Sequence, residues 1–166
     1  MRGNDMESTC YYESPIGTLK IIGNDTAITQ ISLDKSPPLV QLPAKGKQTS
    51  IIQKTIGQLE EYFTKKRKSF DIPLDPMGTP FQKRVWMALG KIPYGKTQTY
   101  KQIAEVLGSP KAARAVGLAN NRNPIMIVIP CHRVIGANGS LVGYAGGLDV
   151  KEKLLILEEV LDKRNN

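Results

Sequence analysis

Thr99-Tyr100-Lys101-Gln102-Ile103-Ala104-Glu105-Val106-Leu107-Gly108-Ser109-Pro110-Lys111-Ala112-Ala113-Arg114-Ala115-Val116-Gly117-Leu118-Ala119-Asn120 is the stretch on which the fold turns. Thr99 is a capping hydroxyl, and Ile103, Ala104, Val106 and Leu107 then recur as the apolar face of a helix. Gly108-Ser109-Pro110 stops that helix. A second one follows at once, from Lys111 to about Asn120, with Ala112, Ala113, Ala115, Val116 and Ala119. Short helices joined by a glycine-containing turn form the helix-turn-helix pattern, whose second helix enters a DNA groove. An αα-corner inside a helical core has the same outline, so the surface of the second helix matters. It is mostly Ala and Gly, with Lys111, Arg114 and Arg122 as its cations. Small side chains allow close backbone approach to a groove, and a long arginine among them can probe between bases.

Upstream, Thr79-Pro80 is a helix start, a capping hydroxyl before a proline at the first helical position. Phe81, Val85, Trp86 and Leu89 make its apolar stripe, Gly90 can end it, and Pro93-Tyr94-Gly95-Lys96 is a turn. Downstream, the apolar run Ile125-Met126-Ile127-Val128-Ile129 reads as a strand that stops at Pro130 and presents Cys131 at a sheet edge or pocket floor. Cys131 stands beside His132, the chain's one histidine, and Arg133 follows. The thiolate is the reactive form of cysteine and a free thiol has a pKa of about 8.5. An adjacent imidazole supplies a base and a guanidinium a positive field. A buried structural cysteine next to a solvated His-Arg pair is the alternative reading of the same residues.

The first half reads as β followed by α. Tyr11 to Ser14 and Thr18 to Ile22 are strand-like around Pro15-Ile16-Gly17, and Ala27 to Leu33 alternates as a third strand. Ser36-Pro37-Pro38 through Gly46-Lys47 is loop. Ser50 is a candidate cap for a helix carrying Ile51, Ile52, Thr55, Ile56, Leu59, Tyr62 and Phe63, ended by Lys65-Lys66-Arg67-Lys68. That cationic run suits a solvated helix end, with a nucleic-acid contact as the sharper alternative. Ser69 to Leu74 looks like a further strand. Asp75-Pro76-Met77-Gly78 then marks a boundary, giving an α+β chain of two subdomains, 1–76 and 77–166.

The chain has 166 residues, enough for a real core, and a formal charge of +8 that favours a polyanionic partner. Two cysteines and one histidine are poor material for a disulfide framework or a structural zinc site, so neither metal nor cofactor is expected. A polar start and the lack of a long apolar run suggest a soluble, cytoplasmic protein.

Phe81-Gln82-Lys83-Arg84-Val85-Trp86, Ile92-Pro93-Tyr94-Gly95-Lys96-Thr97, Ala113-Arg114-Ala115-Val116-Gly117, Asn123-Pro124 and Ile129-Pro130-Cys131-His132-Arg133-Val134 together resemble the O6-alkylguanine-DNA alkyltransferases, or methylated-DNA–protein-cysteine methyltransferases. The resemblance covers roughly Thr79 to Leu161. The β-then-α order of the first half fits that family's ribonuclease H-like N-terminal domain. By resemblance, a monomer binds duplex DNA in the minor groove through the second helix of the helix-turn-helix. It rotates an O6-alkylguanine out of the stack and passes the alkyl group irreversibly to Cys131, with O4-alkylthymine as a further substrate. His132 draws the thiol proton through a water, and Glu158 orients and charge-balances the imidazole. Tyr100 protonates or hydrogen-bonds guanine N3. Arg114, flanked by Ala113 and Ala115, is the finger that fills the gap left by the base, and Arg122 adds a DNA contact. Asn123 braces the turn between the DNA-binding helix and the active-site strand. Val134 lines the pocket and offers its carbonyl to the guanine amine. Tyr144 and Ala145 belong to the pocket-closing loop Val142-Gly143-Tyr144-Ala145-Gly146-Gly147, where glycine lets backbone approach the base. Asn120 departs from a larger apolar residue of some relatives and Ala145 from a serine. The zinc site of some relatives cannot form here.

A lesion binder without transferase activity and a cysteine hydrolase using Cys131, His132 and Glu158 are the competing readings. The first lacks an acceptor cysteine in this family. The second leaves the helix-turn-helix and the basic charge unexplained.

Overall fold

The computed structural model describes residues 6–36 and 49–161, and the chain divides into two compact units, Met1–Pro76 and Met77–Asn166. In the first unit β1 (Ser8–Ser14), β2 (Gly17–Gly23) and β3 (Ile28–Leu33) form an antiparallel three-stranded sheet in that order. Cys10 pairs with Ile21 and Tyr12 with Leu19, while Leu19 pairs with Leu33 and Ile21 with Ile31. The period of a strand puts Cys10, Leu19, Ile21 and Ile31 on one side, where all are buried. Pro15-Ile16 make the hairpin loop, and Gly17 takes a φ of 122°, a value that excludes most side chains.

Helix α1 (Ser50–Phe63) covers the sheet with Ile52, Thr55, Leu59 and Tyr62. Its cap is Thr49, not the expected Ser50: the Thr49 hydroxyl accepts from Ile52 N at 3.2 Å. The helix also ends earlier than the cations imply, because Thr64 closes it and Lys65 turns left-handed at φ 63°. The basic run therefore lies beyond the last turn, where Arg67 folds back on Glu61 at 3.4 Å. The strand expected from Ser69 to Leu74 is reduced to one parallel bridge, Ile28 to Leu74. Pro73 has no N–H to offer a ladder, and Asp71 N is taken by the Gln58 side chain at 2.9 Å. The loop expected from Ser36 to Lys47 lies, after Ser36, outside the described residues.

The second unit is mostly helical. Thr79 and Gln82 form a reciprocal capping box at the start of α2 (Pro80–Leu89), and Thr99 and Gln102 do the same for α3 (Tyr100–Val106). Gly108, at φ 75°, turns the chain into α4 (Ala113–Asn121), which starts after Lys111 because Ala112 N is held by Ser109 O at 2.9 Å. Helix α4 packs on α2 and α3 through Val85, Trp86, Leu89, Ile103, Ala104, Val116 and Ala119. The Trp86 indole donates to Ala119 O at 2.8 Å, which fixes the ring as well as burying it. Residues Gln98–Thr99 (β4) and Val134–Ile135 (β5) make a short parallel pair that the sequence reading missed.

Ile125 to Ile129 is not a strand. It is a buried turn closed by Ile129 N to Ile125 O at 3.0 Å, with Ile127 left-handed at φ 72°. A short apolar run has no period to separate strand from buried turn. Pro130 then leads into a single 3-10 turn, Cys131–Arg133, against which α5 (Leu148–Leu157) packs. Glu158 is the C-cap residue of this helix.

Gly78 tests how rigidly Trp86 is held. A Cβ there would lie 2.4 Å from Trp86 Cη2. Gly78→Ala should cost about 1–3 kcal/mol of stability through overpacking, read as a lower melting temperature by circular dichroism. An unchanged melt would mean the ring or the loop yields freely.

Candidate active site

The 3-10 turn lines up three chemically distinct side chains, and all of Cys131, His132 and Arg133 are buried. Glu158 reaches them from the end of α5. His132 Nε2 and Glu158 Oε2 lie 2.6 Å apart, while Arg133 donates from Nε to Oε1 at 2.8 Å and from Nη2 to Oε2 at 3.1 Å. Arg133 Nη1 also donates to Ile92 O at 2.7 Å, and Gly95 N to Glu158 Oε1 at 3.3 Å. Both carboxylate oxygens are thus held by charged or ring donors and by backbone.

These contacts set the protonation states. Burial pushes the Glu158 carboxyl up, but the hydrogen bonds from His132 and Arg133, with the guanidinium charge, outweigh it and hold its pKa at about 2. Burial pushes the His132 imidazole below its ordinary value against the pull of Glu158, so the ring is neutral. An ionised carboxylate takes Nε2 as donor, which leaves the lone pair on Nδ1. His132 Nδ1 is buried and has no hydrogen-bond partner. Burial raises the Cys131 thiol, with Asn123, Tyr144 and Lys151 opposing the rise.

The remaining candidates fall into distinct places. Asn123 Nδ2 donates to Ile129 O at 2.8 Å and its Oδ1 accepts from Ile125 N at 3.0 Å, so this side chain ties both ends of the turn before Cys131. The Tyr100 hydroxyl donates to Val142 O at 2.9 Å. The Tyr144 hydroxyl is buried and faces the Cys131 sulfur. Val134 is fully buried in β5, and Ala145 is exposed in the following loop. On α4, Arg114 and Ala115 are exposed and Ala113 half-buried; Arg122, the C-cap residue, is exposed at the far end. Asn120 is buried and neither polar atom of its amide has a partner. Among the described residues no group of histidine, cysteine and acidic side chains is arranged to hold a metal ion.

A family model described as 6-O-methylguanine DNA methyltransferase, DNA binding domain, matches residues 80–160, and its ribonuclease-like domain matches residues 9–76. The chain belongs to the 6-O-methylguanine DNA methyltransferase family. The methylated-DNA–protein-cysteine methyltransferase of Methanosarcina barkeri is 53% identical over 148 residues, 89% of this chain and 94% of its own. That of Mycobacterium leprae is 50% identical over 151 residues, 89% of each chain. The crystal structure of Mycobacterium tuberculosis OGT in complex with DNA superposes with a TM-score of 0.81 at 44% identity, covering 92% of both chains.

Within this methyltransferase frame, Arg133 and Lys151 are the site residues that sequence reasoning missed. Arg133 was read as a flanking charge, yet it is the partner of Glu158. Lys151 sits three residues before Leu154 and seven before Glu158, on the inward face of α5, and it is fully buried. Nothing in the sequence set it apart from a lysine whose head reaches water.

The sign of the methyltransferase's pH dependence follows from the directions in which these buried groups are shifted. The Glu158 pKa is about 2 against an ordinary 4.5, so its contribution is complete above 4.5 and lost as pH falls toward 2. The full shift is worth about 3 kcal/mol. His132, held neutral by burial, adds a loss of the same sign below 6.5. Urea unfolding at stepped pH should show this acid loss. Glu158→Gln should flatten its lower part and, by stranding Arg133, destabilise the protein by about 3–5 kcal/mol at neutral pH.

Proposed function

We propose that this protein repairs DNA by direct reversal, moving the methyl group from O6 of guanine in duplex DNA to Cys131. One observation carries the reading: the acceptor thiol shares a buried turn with His132 and Arg133, both held by Glu158, in the unit that also carries the helix pair. The relatives' names, methylated-DNA–protein-cysteine methyltransferase, and the DNA-bound structure of one relative support it.

The chemistry follows from the protonation states. Nδ1 of neutral His132 accepts the Cys131 proton through a water, and Glu158, already ionised, stabilises the imidazolium. The thiolate sulfur attacks the methyl carbon, the S–C bond forms and the C–O6 bond breaks with its electron pair left on guanine. Tyr100 exchanges Val142 O for guanine N3 and supplies the proton there, and the imidazolium proton returns through solvent to the tyrosinate. Overall the thiol hydrogen is traded for the methyl group. No bond in the thioether is labile to the groups present, so each molecule acts once. O4-alkylthymine presents the same alkyl–oxygen bond and is a further substrate.

Access to the base is the work of α4. Its exposed Arg114, with small Ala113 and Ala115 beside it, enters the minor groove and fills the gap left by the extruded guanine. Arg122 meets the backbone at the other end. Val134 lines the pocket, its carbonyl facing the guanine amine, and the loop through Tyr144 and Ala145 closes over the base. The site needs residues of one chain only, so the protein works as a monomer, in the cytoplasm where it meets DNA. No helix among the described residues is long and apolar enough to cross a membrane.

Intact-mass measurement after mixing with duplex DNA containing O6-methylguanine tests the reading. One methyl increment per protein is expected, absent in Cys131→Ser. Retained lesion binding without a mass change would point to a lesion binder, and repeated product release to a hydrolase. Arg114→Ala should slow transfer from duplex DNA by about tenfold or more while sparing transfer from the free O6-methylated base. Equal losses in both assays would contradict the finger role.

A further inference from the structure

Charge around Cys131 does not balance in the thiol state. Arg133 and Glu158 neutralise each other through hydrogen bonds of 2.8 and 3.1 Å, and burial keeps His132 neutral. Lys151 is fully buried as well, and among the described residues no carboxylate forms an ion pair with it. Its ammonium donates to Val142 O at 2.9 Å and lies 6.0 Å from the centroid of the Tyr144 ring. A carbonyl and an aromatic face are weak compensation for a buried ammonium.

Position on the helix shows what the charge faces. Seven residues are close to two helical turns, so Lys151 and Glu158 project from the same face of α5, the one packed on the Cys131–Arg133 turn. Glu158 serves the imidazole. Lys151 lies on the side of Tyr144, whose hydroxyl is beside the sulfur. The other groups that face the sulfur are Asn123, Tyr100 and Tyr144, none of them cationic.

Resting on the reading of Cys131 as alkyl acceptor, we propose that Lys151 is a further functional residue, a positioning residue whose buried ammonium is the counter-charge of the Cys131 thiolate. When the thiol proton leaves the site, Arg133, Lys151, Glu158 and Cys131 sum to zero; when it passes to His132, the new anion lies on the Lys151 side and the new cation on the Glu158 side. The attraction is reciprocal. Burial draws Lys151 down to a pKa of about 8 while Cys131 pushes it back up, and Lys151 in turn lowers the thiol against its own burial. The same ammonium shares Val142 O with the Tyr100 hydroxyl. When Tyr100 turns to guanine N3, that carbonyl keeps Lys151 as its donor, and the pocket loop stays anchored.

Alkylation of Cys131 by iodoacetamide, followed across pH on the Cys131 peptide, tests the charge pairing without DNA. Lys151→Met and Lys151→Gln should react about tenfold more slowly at pH 7 and converge on the unsubstituted protein at high pH, where the thiol ionises unaided. Lys151→Arg, which keeps the charge, should restore most of the rate. Unchanged profiles in the neutral variants would overturn the proposal, as would a Lys151→Arg profile matching theirs. A Lys151-dependent iodoacetamide profile in a protein that takes no methyl from O6-methylguanine duplex would uphold the pairing and sink only the repair reading. Should the neutral variants not fold, melting at pH 7 of Cys131→Asp against Cys131→Asn decides. A fixed anion beside Lys151 should melt no lower than its neutral isostere, and a much lower melt would overturn the pairing.

Discussion

The Glu158 carboxylate is the group on which the rest of the site depends. Its oxygens lie against His132 and Arg133 at 2.6–3.1 Å, with the Gly95 amide as a further donor. Arg133 makes the carboxylate affordable in the interior, since a buried charge without a paired donor costs several kcal/mol. That in turn lets Glu158 choose the His132 tautomer, and so direct the lone pair to Nδ1. Arginine alone would satisfy the charge but orient no base; histidine alone would leave the carboxylate poorly compensated. The adjacent His132-Arg133 dipeptide reaches one acceptor because the backbone there is a 3-10 turn rather than a strand.

That turn also explains what was and was not legible in the sequence. The caps at Thr79 and Thr99, the hairpin at Pro15-Ile16 and the helix pair rest on local chemistry, which spacing expresses directly. The run Ile125 to Ile129 is different. Its hydrophobicity records burial, and burial is what the structure gives it, but the shape comes from outside the run. Asn123 holds the Ile129 carbonyl and the Ile125 amide, and Ile127 takes a left-handed conformation that no propensity would assign to a β-branched residue. Leu74 failed as a strand for the opposite reason, a local veto by Pro73 that the apolar pattern concealed.

Of the site residues, those joined by short range were easiest to read, because Cys131, His132 and Arg133 are consecutive. Glu158 is distant in sequence and is assigned through the resemblance rather than by pattern. Lys151 was illegible in the pattern, since a lysine within a charged helix ordinarily extends its head to water. Only tertiary packing shows that its head has no water to reach and stops at the Val142 carbonyl.

Helix α5 therefore brings opposite charges to one turn, and their division of labour follows from what each can stabilise. Glu158 favours a cation on its side, the imidazolium that forms when His132 takes a proton. Lys151 favours an anion on its side, the thiolate that forms when Cys131 gives one up. In the proposed transfer, passage of the proton from sulfur to imidazole creates that pair of charges together, so the field of α5 opposes the cost of separating them in a low-dielectric site. Neither Glu158 nor Lys151 touches the methyl group, and the transferred proton changes neither of them. A helix with only Glu158 would favour a protonated imidazole whatever the source of the proton. With Lys151 added, the favoured source is the thiol.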